Sequence, residues 1–178
     1  SNILETDKAT YDKINGMIIT FDNANLRLKE GYTLVTKNVS YFLTKKLLSS
    51  NDNSIFSDNE GNIIEASMFQ YTIEDGLLSS VGKIKVVDIK KNKYFFKEIH
   101  IDTKNKQMIG SDVSVVLDQK NFGLNEKFDP RLVANDILIS ENKTNLSKGV
   151  FTVCKNEGED KCPAWSLKAK KISHDKIK

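Results

Sequence analysis

Apolar and polar residues alternate along most of the chain, and the pattern returns about every thirty residues. Thr36-Lys-Asn-Val39-Ser-Tyr41 leads to Leu47-Leu48-Ser49-Ser50, and thirty residues on Ala66-Ser-Met-Phe69-Gln-Tyr71 leads to Leu77-Leu78-Ser79-Ser80. Thr6-Asp-Lys-Ala9-Thr-Tyr11 fits the first half one period earlier, and Ile99-His100-Ile101 with Met108-Ile109-Gly110 fits one period later. The phase then lengthens: Ala134-Asn-Asp-Ile137-Leu-Ile139 leads to Leu146-Ser147-Lys148-Gly149, and Ala169-Lys-Lys-Ile172-Ser-His174-Asp175 repeats the first half again. Ile84–Ile89, Val113–Leu117 and Val150–Val153 supply second strands. A period of two puts one strand face in the core and the other in water. Asn15-Gly16, Glu30-Gly31, Glu74-Asp75-Gly76, Lys104-Asn105-Lys106 and Glu141-Asn142-Lys143 predict short polar turns. No segment holds a 3.6-residue period. Ser40–Ser49 comes nearest to a helix, and its fit to the repeat assigns it to strands instead. Residues 119–130 break the alternation and predict an insertion loop, with Phe122, Leu124 and Phe128 packed over one end of the core.

Such a repeat, with about two strands per unit, implies a stacked all-β body in one domain, residues 3–178. An open β-jelly roll of antiparallel strands around an apolar slot and a parallel β-helix both satisfy it. The NG and DG turns favour antiparallel pairing.

Composition narrows the class. The chain has 178 residues, 39% hydrophobic and 29% charged, enough for one real core. No apolar run approaches the roughly 18 residues of a membrane helix. Ser1-Asn2 looks like a cloning remnant, so the lack of a signal peptide in this sequence does not fix a compartment. Net charge is +3, from 27 basic and 24 acidic residues, and only Arg27 and Arg131 are arginines. That sign-mixed, lysine-dominated pattern argues against nucleic-acid binding. Cys154 and Cys162 are the only cysteines. Seven residues between them is not zinc-finger spacing, and His100 is far away in sequence, so no metal site is expected. A disulfide closing a short acidic loop and a pair of buried thiols both fit; the first implies an oxidising compartment.

No catalytic or phosphate-binding motif is present, and no cofactor is implied. Asp88, Asp102, Asp118 and Asp136 are scattered at strand ends and turns. His174-Asp175 is one adjacent pair at a strand end. No catalytic residue is therefore assigned. A binding role needs an apolar interior and open edges. The lining candidates for a slot are Phe69, Tyr71, Leu78, Ile84, Val86, Ile99, Ile101, Met108, Val113, Val115, Ile137, Ile139, Leu146 and Phe151. End strands with unpaired amides invite strand addition, including self-association.

These repeat units resemble the OstA-like jelly-roll domains of the lipopolysaccharide (LPS) transport system, shared by the periplasmic bridge proteins LptA and LptC and by the outer-membrane LPS-assembly family LptD. Gly149-Val-Phe-Thr-Val-Cys154, the acidic loop, and Cys162-Pro-Ala-Trp165-Ser-Leu-Lys-Ala169-Lys-Lys-Ile172-Ser-His174-Asp175 are similar to the segment with which the LptD family leaves its periplasmic domain for its barrel. The resemblance implies a V-shaped apolar slot and a non-enzymatic role. The domain would receive LPS from the bridge, hold lipid A acyl chains, and pass them toward the barrel. It also implies a periplasmic domain of an outer-membrane protein, with LptA, the lipoprotein LptE and the protein's own barrel as partners. The N-terminal strand with Thr6, Lys8 and Thr10 would be the edge that accepts LptA. Residues 154–178 would lead toward a barrel that this sequence does not contain. In the family, cysteines of this region pair with barrel cysteines, while two cysteines in one loop leave a local Cys154–Cys162 bridge open as well. A β-helical polysaccharide-active enzyme and an LptA/LptC-type bridge protein remain the alternatives.

Overall fold

The computed structural model describes residues 1–125, 128–155 and 166–175. Its strands are β1 (Ile3–Asp12), β2 (Met17–Arg27), β3 (Thr33–Lys37), β4 (Ser40–Phe42), β5 (Leu47–Ser50), β6 (Ser54–Ser57) and β7 (Ile63–Ala66). They continue with β8 (Phe69–Thr72), β9 (Leu77–Val87), β10 (Lys93–Asp102), β11 (Gln107–Val116), β12 (Phe128–Ile139), β13 (Lys143–Lys155) and β14 (Leu167–Asp175). Every pairing is antiparallel, so the choice between jelly roll and β-helix falls to the former. Between the long strands β2 and β9 the chain breaks each crossing in two. β3, β6 and β7 pair in one half-sheet, and β4, β5 and β8 pair in another.

The turns show why the repeat is thirty residues long. Gly16, Lys46, Gly76 and Lys106 all have positive φ, and so do Gly31, Gly61 and Lys91. Each marks the left-handed residue that closes a hairpin, which glycine adopts without strain. Stacked turns bond to one another in the same register: Leu43 N–H donates to Gly16 O at 3.0 Å, Ile73 N–H to Lys46 O at 2.9 Å, and Thr103 N–H to Gly76 O at 2.9 Å. On the opposite rim asparagines do this work. Lys29 N–H donates to Asn2 Oδ1, Ile89 N–H to Asn62 Oδ1 and Asp118 N–H to Asn92 Oδ1.

Midway along each long strand the backbone turns a corner. Asp22, Asn38, Gly82, Asp112 and Lys148 have positive φ there, and the register shifts between Thr6 and Lys8 and between Phe96 and Glu98. The bends fold the half-sheets face to face. Phe56 from one half meets Phe69 from the other edge-on, with ring centroids 5.5 Å apart. The Phe96 ring fills the space over Gly110, where a Cβ would lie 2.5 Å from it. Short buried hydroxyls satisfy the backbone groups that the corner unpairs. Thr20 Oγ1 accepts from Val39 N–H at 2.8 Å. Ser50 Oγ donates to Lys37 O at 2.6 Å, Ser54 Oγ to Asp52 O at 2.8 Å and Ser80 Oγ to Met68 O at 2.7 Å.

Two expectations shift in detail. The break after β11 is a 3-10 turn, Gln119–Phe122, N-capped by Asp118 and ended by Gly123 at φ +66°. β12 begins at Phe128, so Phe128–Pro130 belong to a strand, and Leu117 N–H donates to Pro130 O at 2.9 Å. Pairing across the sheet holds these residues extended where the sequence pattern alone looks irregular. Leu124 is half-buried. The side chain of Phe122, the cysteine loop with Cys162 and Trp165, the side chain of Cys154 and the terminal residues 176–178 lie outside the described residues.

Thr20→Val tests the corner. It keeps the shape and leaves the buried Val39 N–H without its side-chain acceptor. The expected loss is about 1–3 kcal/mol of unfolding free energy in urea titrations.

Candidate functional site

The slot between the half-sheets is filled along its middle by its own side chains. Phe69, Tyr71, Leu78, Ile84, Val86, Ile99, Ile101, Val113, Val115, Ile137 and Leu146 are all buried. Met108 and Ile139 pack half-buried against them, and Phe151 is half-buried near the C-terminal end. All fourteen candidates therefore sit on the inner face or at its margin, and eleven of them are ordinary core.

Among the described residues the inner face is left uncovered at the two end strands. Leu4, Thr6, Ala9 and Tyr11 of β1 face Leu26, Ala24, Thr20 and Ile18 across the ladder, so they share the inner face. No strand among the described residues covers them, and Tyr11 is 57% exposed. At the far end Leu167, Ala169 and Ile172 of β14 face Phe151, Gly149 and Leu146. Leu167 is also 57% exposed, and Ile172 rests on the core. The alternating-strand reading missed Leu4, Ala9, Leu167 and Ile172 as inner-face residues at the ends. The repeat carried the signal, because Thr6-x-x-Ala9-x-Tyr11 and Ala169-x-x-Ile172-x-His174 match Ala66-x-x-Phe69-x-Tyr71. β1 pairs only with β2 and β14 only with β13, so each has one unpaired edge among the described residues. Thr6, Lys8 and Thr10 lie on the first of these.

Along the slot's long side the turns of the two half-sheets meet. Lys106 Nζ reaches Glu60 at 3.5 Å, an exposed pair of modest worth. Burial pushes the Tyr32 hydroxyl up to about 12, helped by Asp58, Glu60, Asp102 and Glu30, which gather carboxylates from both rims. Burial also raises Tyr71 and Tyr94, the latter hydrogen-bonded to Asp88 at 3.0 Å. Tyr71's hydroxyl and both carboxylate oxygens of Glu30 are buried, with Thr103 and Glu30 close enough to act on the Tyr71 hydroxyl. Lys29 Nζ stands 3.7 Å from Glu30 Oε1. These polar groups line the long side of the slot.

The scattered aspartates are structural. Asp102 accepts from the backbone N–H of Lys104 and Asn105 and from Asn105 Nδ2, and the Asn105 bonds hold its carboxyl below the usual range. Asp88 holds Asn92 in the same way, and Asp118 accepts from Lys120 N–H. Asp136 accepts from Ser147 Oγ at 2.8 Å. One array resembles a hydrolase triad: Ser79 Oγ lies 2.9 Å from His100 Nδ1, and His100 Nε2 lies 2.9 Å from Glu98 Oε1. It sits on an open sheet face. Ser79 is paired to Gln70 on one side and His100 on the other, within a ladder that offers no cradle of free amides for an oxyanion. His174 is exposed on β14. Among the described residues no three His, Cys, Asp or Glu side chains cluster to hold a metal.

No protein-family profile matches the sequence, and no curated protein matches it. Among solved structures the chain is similar to LptH of Pseudomonas aeruginosa, the LptA homologous periplasmic component of the conserved lipopolysaccharide transport device. The TM-score is 0.54 with 13% identity, over 62% of this chain and 82% of that chain. The fold is an OstA/LptA-like jelly roll. At that identity the likeness is one of fold.

A folded-state value near 12 for Tyr32 means its neutral form is favoured by folding. That contribution is fully present below the unfolded value near 10 and is lost as pH rises through the folded one. Spectrophotometric titration is expected to show a tyrosine ionising near pH 12, and Tyr32→Phe to remove that step.

Proposed function

We propose that this chain is the periplasmic OstA-like domain of an LptD-type outer-membrane LPS-assembly protein, and that it works without catalysis. It receives LPS from a bridge protein of the LptA type at the β1 edge and holds acyl chains on the inner face. It then passes them toward a barrel and its LptE partner beyond β14. The observation that carries the reading is the apolar inner face left uncovered at both end strands, in a fold shared with a periplasmic LPS-transport component. The likeness of the Cys154–Trp165 sequence to the corresponding segment of the LptD family supports the barrel-proximal assignment.

Because the middle of the slot is filled, chains enter by parting the half-sheets along the polar rim at Tyr32, Glu30 and Glu60–Lys106. Each buried methylene contributes about 0.8 kcal/mol, so displaced core contacts offset much of the gain. Near-balance of that kind suits a relay, where affinity at successive sites must be similar. A bridge-protein role rests on the same fold likeness, and it is favoured if both edges bind copies of one partner.

Binding to LPS tests the reading. Tyr11→Glu and Leu167→Glu alter exposed inner-face positions and are expected to weaken LPS binding by about tenfold each, with the unfolding midpoint unchanged. Wild-type protein that fails to bind LPS at all rejects the proposal. Partner docking has its own test: proline at Thr6 or Lys8 is expected to weaken capture of an LptA-type protein without unfolding the domain. Unchanged capture moves the docking edge away from β1.

A further inference from the structure

The outer face of the half-sheet built on β3, β6 and β7 carries an apolar row. Cross-strand partners place Val35, Ile55, Glu65, Lys85 and Phe95 side by side on β3, β6, β7, β9 and β10, and Val133 stands two strands further on. Val35, Ile55 and Val133 are each half-exposed or more, and Phe95 is 40% exposed. In the neighbouring row of the same face Ile63 and Val87 are partners, and Ile63 is 42% exposed. The alternation that buries Leu34, Phe56, Ile64, Val86 and Phe96 puts these residues on the side where polar ones belong. Single exposed apolar residues are ordinary, whereas a contiguous stripe marks a contact surface.

The order of the row selects the partner. Glu65 and Lys85 are direct cross-strand partners, and Lys85 Nζ lies 3.0 Å from Glu65 Oε1. Ile55 flanks them on the glutamate side and Phe95 on the lysine side. Turned end for end, the row sets acid on base, base on acid, and Ile55 on Phe95. It is therefore complementary to itself, which is the requirement of a two-fold contact between identical chains. With the axis running along the strands between β7 and β9, Glu65 of each copy faces Lys85 of the other. Ile55 then faces Phe95, and Ile63 faces Val87. Two twisted sheets pack face to face in this aligned way, about 10 Å apart.

We propose that this outer face pairs two copies of the chain, sheet on sheet, about a two-fold axis between β7 and β9. From β3 to β12 the row spans about 29 Å, and with the Ile63 row its footprint is about 400–500 Å² per copy. That is the size of a weak, transient contact. The four charges offset the cost of leaving water only when all four pair, so they set the register more than the affinity. The axis lies in the middle of the stack, so the unpaired edges of β1 and β14 stay outside the contact. The contact uses neither the inner face nor an end strand, and it is independent of the proposed function.

Sedimentation equilibrium of the whole chain in reducing buffer tests this, over roughly 10 μM to 1 mM, where a contact of this area associates. The mean mass is expected to rise toward that of a dimer. Lys85→Glu makes the centre of the face all acidic and Glu65→Lys makes it all basic, so each variant alone is expected to stay monomeric. Mixed in equal amounts they are expected to associate, because acid again meets base across the axis. Both variants lack the ion pair within the chain, so recovery on mixing reports the contact between copies alone. Ile55→Asp, at a half-exposed position, is expected to weaken association about tenfold with the unfolding midpoint unchanged. Wild-type protein that stays monomeric throughout overturns the proposal, and so does a mixture of the two charge variants that stays monomeric. Association that persists in Ile55→Asp and is lost with proline at Thr6 belongs to the end strands and overturns it as well.

Discussion

The structure depends on satisfying backbone hydrogen bonds where long strands bend. A sheet folded onto itself must take peptide groups out of the ladder at the corner, and on its inner side Thr20, Ser50, Ser54 and Ser80 are buried. An unpaired amide there would cost as much as several good packing contacts contribute. Thr20, Ser50, Ser54 and Ser80 meet that demand with hydroxyls short enough to reach the nearest carbonyl or amide. Thr20, Ser50 and Ser80 recur at the repeat spacing, and at the next such position Gly110 instead makes room for Phe96.

With the corner secured, the rest follows from stacking. Each hairpin adds one layer to both half-sheets, and the rims lock in register through turn-to-turn bonds on one side and asparagine side chains on the other. Tyr32 interrupts the asparagine ladder. Glu30 lies near that interruption and acts on both Tyr32 and Tyr71.

The aspartates brace the fold. Carboxylates are spent on turns, and the one Ser–His–Glu array lies on a flat ladder. What remains, among the described residues, is apolar inner-face surface at the two end strands together with their unpaired edges.

Much of this was legible from residues. Alternation at Ile84–Ile89 and Val113–Leu117, the NG and DG turns, and the thirty-residue return defined an antiparallel stack, because turn chemistry and face periodicity are local properties. The lining candidates followed, since a period of two assigns faces. The break of three crossings into separate half-sheets was not legible: Asn38 and Ser67-Met68 look like ordinary strand residues until the fold brings Phe56 against Phe69. Nor did periodicity reveal that Phe69 and Tyr71 fill the slot while their repeat equivalents Ala9 and Tyr11 stand open. That difference arises because one layer has neighbours on both sides and the end layer has one, and position in a stack is decided by the assembled tertiary structure.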